Sequence, residues 1–182
     1  MRAVRLSERG YSLNELMLIV AVAATLMVVG LPVMTDVTEA SKLGSAAREI
    51  ERELQSARLK SVSSNQILRV RLNCPATGYF RTVEYLNSAA DTATNRCVES
   101  VYPFPADNDL MTRPNYDGPV RTLPLGATVA TDIVEFHPDG TAYRVVSNVV
   151  TAITSPLTIT VTRKNKSKAM TINAAGKIQI QR

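Results

Sequence analysis

Tryptophan is missing from this 182-residue chain, histidine occurs once and cysteine twice. Aromatic side chains make up only 5% of it, so a core has to rest on Val, Ile, Leu and Met. Without a C-x-x-C pair or a His/Cys cluster, a zinc site is not expected. No G-x-S-x-G elbow occurs, and the glycines form no phosphate cradle. The single histidine, His137, precedes Pro138-Asp139-Gly140, a setting that suits a turn residue better than a general base. Asp107-Asn108-Asp109 offers oxygen ligands but lacks the spacing of a calcium loop, and reads as a polar loop tip. No set of polar residues converges on a catalytic arrangement, so the chain reads as a non-enzyme with no cofactor and no metal. No internal repeat or low-complexity tract is evident.

Hydrophobic residues make up 45% of the chain, but a dense apolar block sits near the N-terminus. The length fits one domain plus an anchor. Residues 1–10 read MRAVRLSERG, and Glu15 and Asp36 then bracket an uncharged stretch, residues 16–35. A helix needs about 20 apolar residues to cross ~30 Å of hydrocarbon, and a soluble core helix rarely stays apolar all round for so long. The stretch is read as a transmembrane helix. Arg2, Arg5 and Arg9 precede it and should stay in the cytoplasm, which puts the C-terminal part outside. A cleaved secretory signal fits less well, because the apolar run is long and VMTDVTEA (residues 33–40) holds no clear small-x-small site. A plain uncleaved anchor remains open. The formal charge is +5; without Arg2, Arg5, Arg9 and Glu8 the remainder is still mildly basic, which permits contact with anionic partners without demanding it.

Glu15 stands at the front edge of the apolar run, one helical turn after Tyr11. An ionised carboxylate at membrane depth costs about 2.5–3.5 kcal/mol on the lenient insertion scale, so it needs a partner. A cut after Gly10 would expose an α-amino group on Tyr11, and that ammonium on a neighbouring subunit would neutralise Glu15.

Gly10-Tyr11-Ser12-Leu13-Asn14-Glu15-Leu16 resembles the class III signal of type IV pilins and pseudopilins. The resemblance implies cleavage between Gly10 and Tyr11 by a prepilin peptidase, N-methylation of Tyr11 and filament assembly through Glu15. Counted from Tyr11, Glu15 is fifth and Pro32 twenty-second, the family's register for both. The partners so implied are other pilins or pseudopilins, the peptidase and the inner membrane. The implied location is a single pass of a bacterial inner membrane with a periplasmic C-terminal domain, then a pilus or pseudopilus.

Pro32 lacks an N–H, so a helix kink is expected there. Beyond it Val33, Val37, Ala40, Leu43, Ala47, Ile50, Leu54 and Ala57 recur at spacings of three and four, an amphipathic stripe. Glu39, Lys42, Arg48, Glu49, Glu51, Arg52, Glu53 and Arg58 fall on the other face, read as solvated or subunit-facing. The helix should end near residues 61–65. The period then changes to two, and strands are expected at 67–72, 79–86, 127–131, 133–136, 141–146, 157–163, 169–172 and 177–181, with turns at Asp139-Gly140 and across 165–168. Residues 87–118 look irregular, broken by Pro103, Pro105, Pro114 and Gly118. Two lone cysteines in an exported domain most often pair. Cys74 and Cys97 would close a 24-residue loop, for roughly 3 kcal/mol of chain-entropy stabilisation.

The fold class is therefore α+β: a long N-terminal helix, half transmembrane and half amphipathic, packed on an antiparallel β-sheet head. The segments are a leader at 1–10, a transmembrane helix at 11–35, an amphipathic half at 36–64 and a β-rich head at 65–182. Leu54-Gln55-Ser56-Ala57-Arg58, Glu135-Phe136-His137-Pro138-Asp139-Gly140-Thr141-Ala142 and Ala175-Gly176-Lys177-Ile178 resemble three short motifs of the GspH/FimT family of minor pilins and pseudopilins. That resemblance implies a structural subunit of a type IV pilus or a type II secretion pseudopilus. An alternative is a DNA-binding minor pilin. Arg163, Lys164, Lys166 and Lys168 crowd a hairpin tip, with Lys177 and Arg182 on the following strand. Such cations would bind DNA phosphates without sequence preference, or simply form a solvated turn that limits edge aggregation. Some family members bind DNA through a Gly-Arg-x-Arg segment, and this chain has Gly176-Lys177-Ile178-Gln179.

Overall fold

Ser12 caps the first helix. In a computed structural model its Oγ accepts the Asn14 N–H at 3.3 Å and its carbonyl accepts the N–H groups of Glu15 and Leu16. The structure describes residues 12–86, 96–102, 104, 116–130 and 132–181. The Gly10–Tyr11 junction, Asp107-Asn108-Asp109, Pro103, Pro105, Pro114 and Arg182 lie outside the described residues.

Helix α1 spans Leu13–Ser64 with Pro32 inside it. The chain divides into two compact units, Met1–Glu39 and Ala40–Arg182. In the first unit the described apolar side chains of α1 other than Ala23 stand exposed, Leu13, Met17, Leu18, Leu26 and Met34 among them. Two of the threonines in this stretch return their hydroxyls to the helix: Thr25 Oγ1 donates to the Val22 carbonyl and Thr38 Oγ1 to that of Met34, each at 2.8 Å. Polar groups satisfied within the segment suit it to an apolar solvent.

The second unit is built on ten strands among the described residues: β1 Leu68–Leu72, β2 Tyr79–Glu84, β3 Arg121–Thr122, β4 Ala127–Val129, β5 Ile133–Phe136, β6 Ala142–Val146, β7 Val149–Ala152, β8 Leu157–Arg163, β9 Lys166–Ile172 and β10 Ile178–Ile180. They form two antiparallel sheets rather than one. The six-stranded sheet runs β3-β2-β1-β5-β6-β7 and the four-stranded one β10-β9-β8-β4. Leu43, Ala46, Ala47, Ile50, Leu54 and Ala57 line one face of α1 and share a single core with both sheets. Val70, Phe80, Val134 and Phe136 come from the larger sheet, and Ile159, Val161, Met170 and Ile172 from the smaller.

The buried stripe therefore starts at Leu43. Val33, Val37 and Ala40, expected on it, are exposed. The core also takes in two aromatics, Phe80 and Phe136, both fully buried. Strands β3 and β7 had no sequence signal. β7 follows β6 through Ser147-Asn148, both with positive φ (49° and 63°). That is the backbone of a type I′ hairpin, for which Ser-Asn is a weaker cue than Asn-Gly. The turn expected across 165–168 is tighter: only Lys164 and Asn165 separate β8 from β9.

Residues 96–102 and Gly118 meet the larger sheet at Arg81. Arg81, fully buried there, donates to three carbonyls, those of Gly118 (2.7 Å), Arg96 (3.0 Å) and Tyr102 (2.8 Å). Burial pushes its guanidinium below the ordinary pKa, while the Asp117 and Glu99 carboxylates oppose that shift. Arg96, also buried, pairs with Asp117 at 2.9 Å and lies over the Tyr102 ring. Next to this cluster Cys74 and Cys97 form the expected disulfide, with Cα atoms 5.4 Å apart.

Changing Cys74 and Cys97 together to Ser should lower the unfolding free energy by ~3 kcal/mol, the loop-closure value. Urea denaturation of residues 40–182 measures this, and an unshifted midpoint would show that the link constrains nothing in the unfolded chain.

Candidate functional site

The first candidate site is the start of α1. Glu15 sits in its first turn, exposed, where the N–H groups of the helix end favour a carboxylate. The apolar side chains that follow it are unburied on every side of the helix up to Val28 except at Ala23, which is half-buried. This helix is long and apolar enough to cross a membrane.

The second is a junction in the head that rests on Arg58. The sequence pattern placed Arg58 on the solvated face of α1, yet its guanidinium reaches across to two turns. Its Nε donates to the Gly140 carbonyl at 3.0 Å and its Nη2 to the Ala175 carbonyl at 2.9 Å. Gly140 and Gly176 both hold positive φ, 82° and 69°. A Cβ on Gly176 would collide with the Gly140 carbonyl and with Arg58 Nε, so the two turns close up only because side chains are missing. Ala142 N–H donates to the Ala174 carbonyl at 2.9 Å and joins the same turns through the backbone. Nearby, Ser61 Oγ, fully buried, bonds the carbonyls of Gln66 and Phe136.

Glu53 was also expected in solvent and is instead buried. It accepts from Thr82 Oγ1 at 2.5 Å and pairs with Arg121 at 2.9 Å, which links α1 to β2 and β3. On the outer face of the larger sheet, Glu135 is held between Arg69 (2.5 Å) and His137 (2.6 Å), and the His137 ring packs on Tyr143. His137 thus works as a turn and packing residue, with Gly140 N–H donating to its carbonyl. Among the described residues no cluster of His, Cys, Asp or Glu is arranged to hold a metal ion.

The basic residues do not assemble into one patch. Arg163 is buried beside the Gly126 turn, its Nη1 3.2 Å from where a Gly126 Cβ would stand. Lys164 and Lys166 are exposed at the β8–β9 hairpin, and Lys168, on the same side of β9 as Lys166, is half-buried. Lys177 lies beside Asn173, beyond the other end of β9. Seven residues of strand separate the two ends, roughly 20 Å. Arg182 is outside the described residues.

Arg58, the Phe136–Ala142 turn and the Ala175–Gly176 turn are the three stretches that resembled GspH/FimT motifs, and the fold brings them into one contact. The family described as Type II transport protein GspH matches residues 46–176, from the buried face of α1 to the glycine under Arg58. The chain belongs to the GspH family. As a GspH-family protein it keeps the α+β plan of one long helix with antiparallel sheets. Similar solved structures include the type IV minor pilin FimU of Pseudomonas aeruginosa, at 18% identity over 80% of this chain and 92% of that one, TM-score 0.48. The minor pseudopilin EpsH of the Vibrio cholerae Type 2 Secretion System is similar at 14% identity over 77% and 96%, TM-score 0.45. No curated protein matches the sequence.

Gly176→Ala should destabilise the head by about 2–4 kcal/mol, from left-handed strain plus overpacking. Chemical denaturation reads this directly, and a neutral effect would show that the Arg58 junction yields easily. Asp139, in the exposed turn, titrates below its ordinary 3.8 because Thr141 Oγ1 and then the Thr141 N–H donate to it. Its contribution is therefore full above pH 3.8 and fades as pH falls through the lower folded value. Asp139→Ala should be less stable than wild type near pH 7, with the difference shrinking below pH 3.8, as followed by thermal melts across that range.

Proposed function

We propose that this GspH-family chain is a minor structural subunit of a type IV pilus or a type II secretion pseudopilus. One observation carries the reading: α1 presents an uncharged, outward-facing apolar stretch that opens on a single acid, Glu15. In this reading a prepilin peptidase cuts between Gly10 and Tyr11, and Tyr11 becomes the N-methylated first residue. Residues 11–35 hold the chain in the inner membrane as a single pass, with residues 36–64 and the head at 65–182 on the periplasmic side. Glu15 then pairs with the Tyr11 amine of an adjoining pilin when the span leaves the bilayer for the filament. The gain is large because both charges would otherwise sit unpaired in hydrocarbon. Head-to-tail contacts of this kind do not close into a ring and so give an open helical array. A DNA-uptake role draws no support from the separated positions of Arg163, Lys164 and Lys177.

Glu15→Ala should leave cleavage and membrane insertion intact while removing the protein from sheared or purified filaments. Intact mass of the membrane fraction reports the first, and immunoblotting of filaments the second. Wild-type levels of the variant in filaments would refute the docking role of Glu15, and a mature chain still carrying its first ten residues would refute the processing.

A further inference from the structure

The outer face of α1 in the head carries an arrangement that neither the core nor the N-terminal anchor explains. Arg48 and Arg52 lie one turn apart on the side opposite Ile50 and Leu54, and both are exposed. Like charges at this spacing repel and weaken a helix. Among the described residues neither one makes an ion pair, although Glu49 is three positions before Arg52. A groove of about 510 Å³ opens beside them, lined also by Ser45, Glu49, Glu53, Ser56 and Arg121. Arg121 is fixed there by Glu53, whose own charge is taken up by that pair and by the Thr82 hydroxyl. Seven residues beyond Arg52 on the same face, Leu59 is 69% exposed, and a second groove runs from Arg52 to it.

We propose that this face is the docking surface for an acidic segment of a different filament subunit, with Arg48 and Arg52 receiving its carboxylates and Leu59 an apolar residue one to two turns away. The proposal rests on the filament reading above. Guanidinium forks match carboxylates in shape and lose less hydration than ammonium on pairing. The described surface of this chain favours a different subunit over a second copy as the occupant. Folding buries Glu53, Glu84, Asp117, Asp132 and Glu135, which leaves only Glu49, Glu51, Glu99 and Asp139 as acids at the described head surface. Lys42, Lys164, Lys166 and Lys177 stay exposed along with the two arginines, so the described head surfaces of two copies would meet with like charge. A local rule broken at a solvent-facing position is the pattern expected where a partner restores the balance.

The test uses the full chain in its own cell, with incorporation into filaments as the readout. The double variant R48E/R52E should fall roughly tenfold in purified filaments, while its level in the membrane stays normal. Placing Lys at an acidic position of another subunit should restore it. Lys42→Glu, on the same helix but off this face, should incorporate normally. Wild-type incorporation of R48E/R52E overturns the proposal, and so does an equal loss with Lys42→Glu, because bulk charge would then be the cause. Glu15→Ala runs alongside. Exclusion of that variant together with normal R48E/R52E removes only the docking surface, whereas incorporation of Glu15→Ala removes the filament reading beneath it.

Discussion

The head of this protein depends on one guanidinium. Arg58 leaves α1 near its C-terminal end and donates to the carbonyls of Gly140 and Ala175, which belong to turns far apart in sequence. One turn joins β5 to β6 in the larger sheet, and the other joins β9 to β10 in the smaller. A side chain from the helix thus ties both sheets where the apolar core ends. Hydrogen bonds from a charged donor contribute more than neutral ones, about 1.5–3 kcal/mol, and orient both turns as well. The two glycines follow from it. The backbone at Gly176 passes so close to Arg58 and the Gly140 carbonyl that no Cβ fits.

A second theme is the placement of charge. Arg69, Arg81 and Arg96 are among the largest fully buried side chains. Each is matched: Arg69 by Glu135, Arg96 by Asp117, and Arg81 by a set of backbone carbonyls. Buried ions add little net stability, but removing one partner leaves a charge stranded at a cost of ~3–5 kcal/mol. What they supply here is position. Arg81 bonds the carbonyls of Arg96, Tyr102 and Gly118, and the disulfide ties Cys97 to Cys74, so these points are held on the sheet. On α1 itself Glu53 is buried with Arg121 and Thr82, while Arg48 and Arg52 stay exposed beside the half-buried Glu49.

Much of the fold was legible in the chain itself. β5 and β8 lie where alternation placed them, and β1, β2, β4, β6 and β10 lie within a few residues of it, because β-branched residues at period two have few other solutions. The core face of α1 from Leu43 onward was legible for a similar reason. The misses have physical causes. β3 is two residues long, and β7 is exposed throughout, so neither shows an apolar rhythm. Arg58 and Glu53 were assigned to solvent because helical phase reports which side a residue leaves from, not how far a long side chain reaches or what it meets.

The sequence by itself determined the apolar stretch behind a basic N-terminal segment, the acid at its edge, the one-helix-then-strands order and the pairing of two cysteines. Each is a local property, set by composition, period or the small number of partners on offer. Tertiary structure alone decided that there are two sheets, that three short motifs meet at Arg58, and that Arg163 is buried away from the lysines beside it. It also decided that Lys177 stands at the far end of a strand from Lys164. Those outcomes depend on strand order and register, which bring together residues a hundred positions apart and separate near neighbours, and no local pattern encodes that distance.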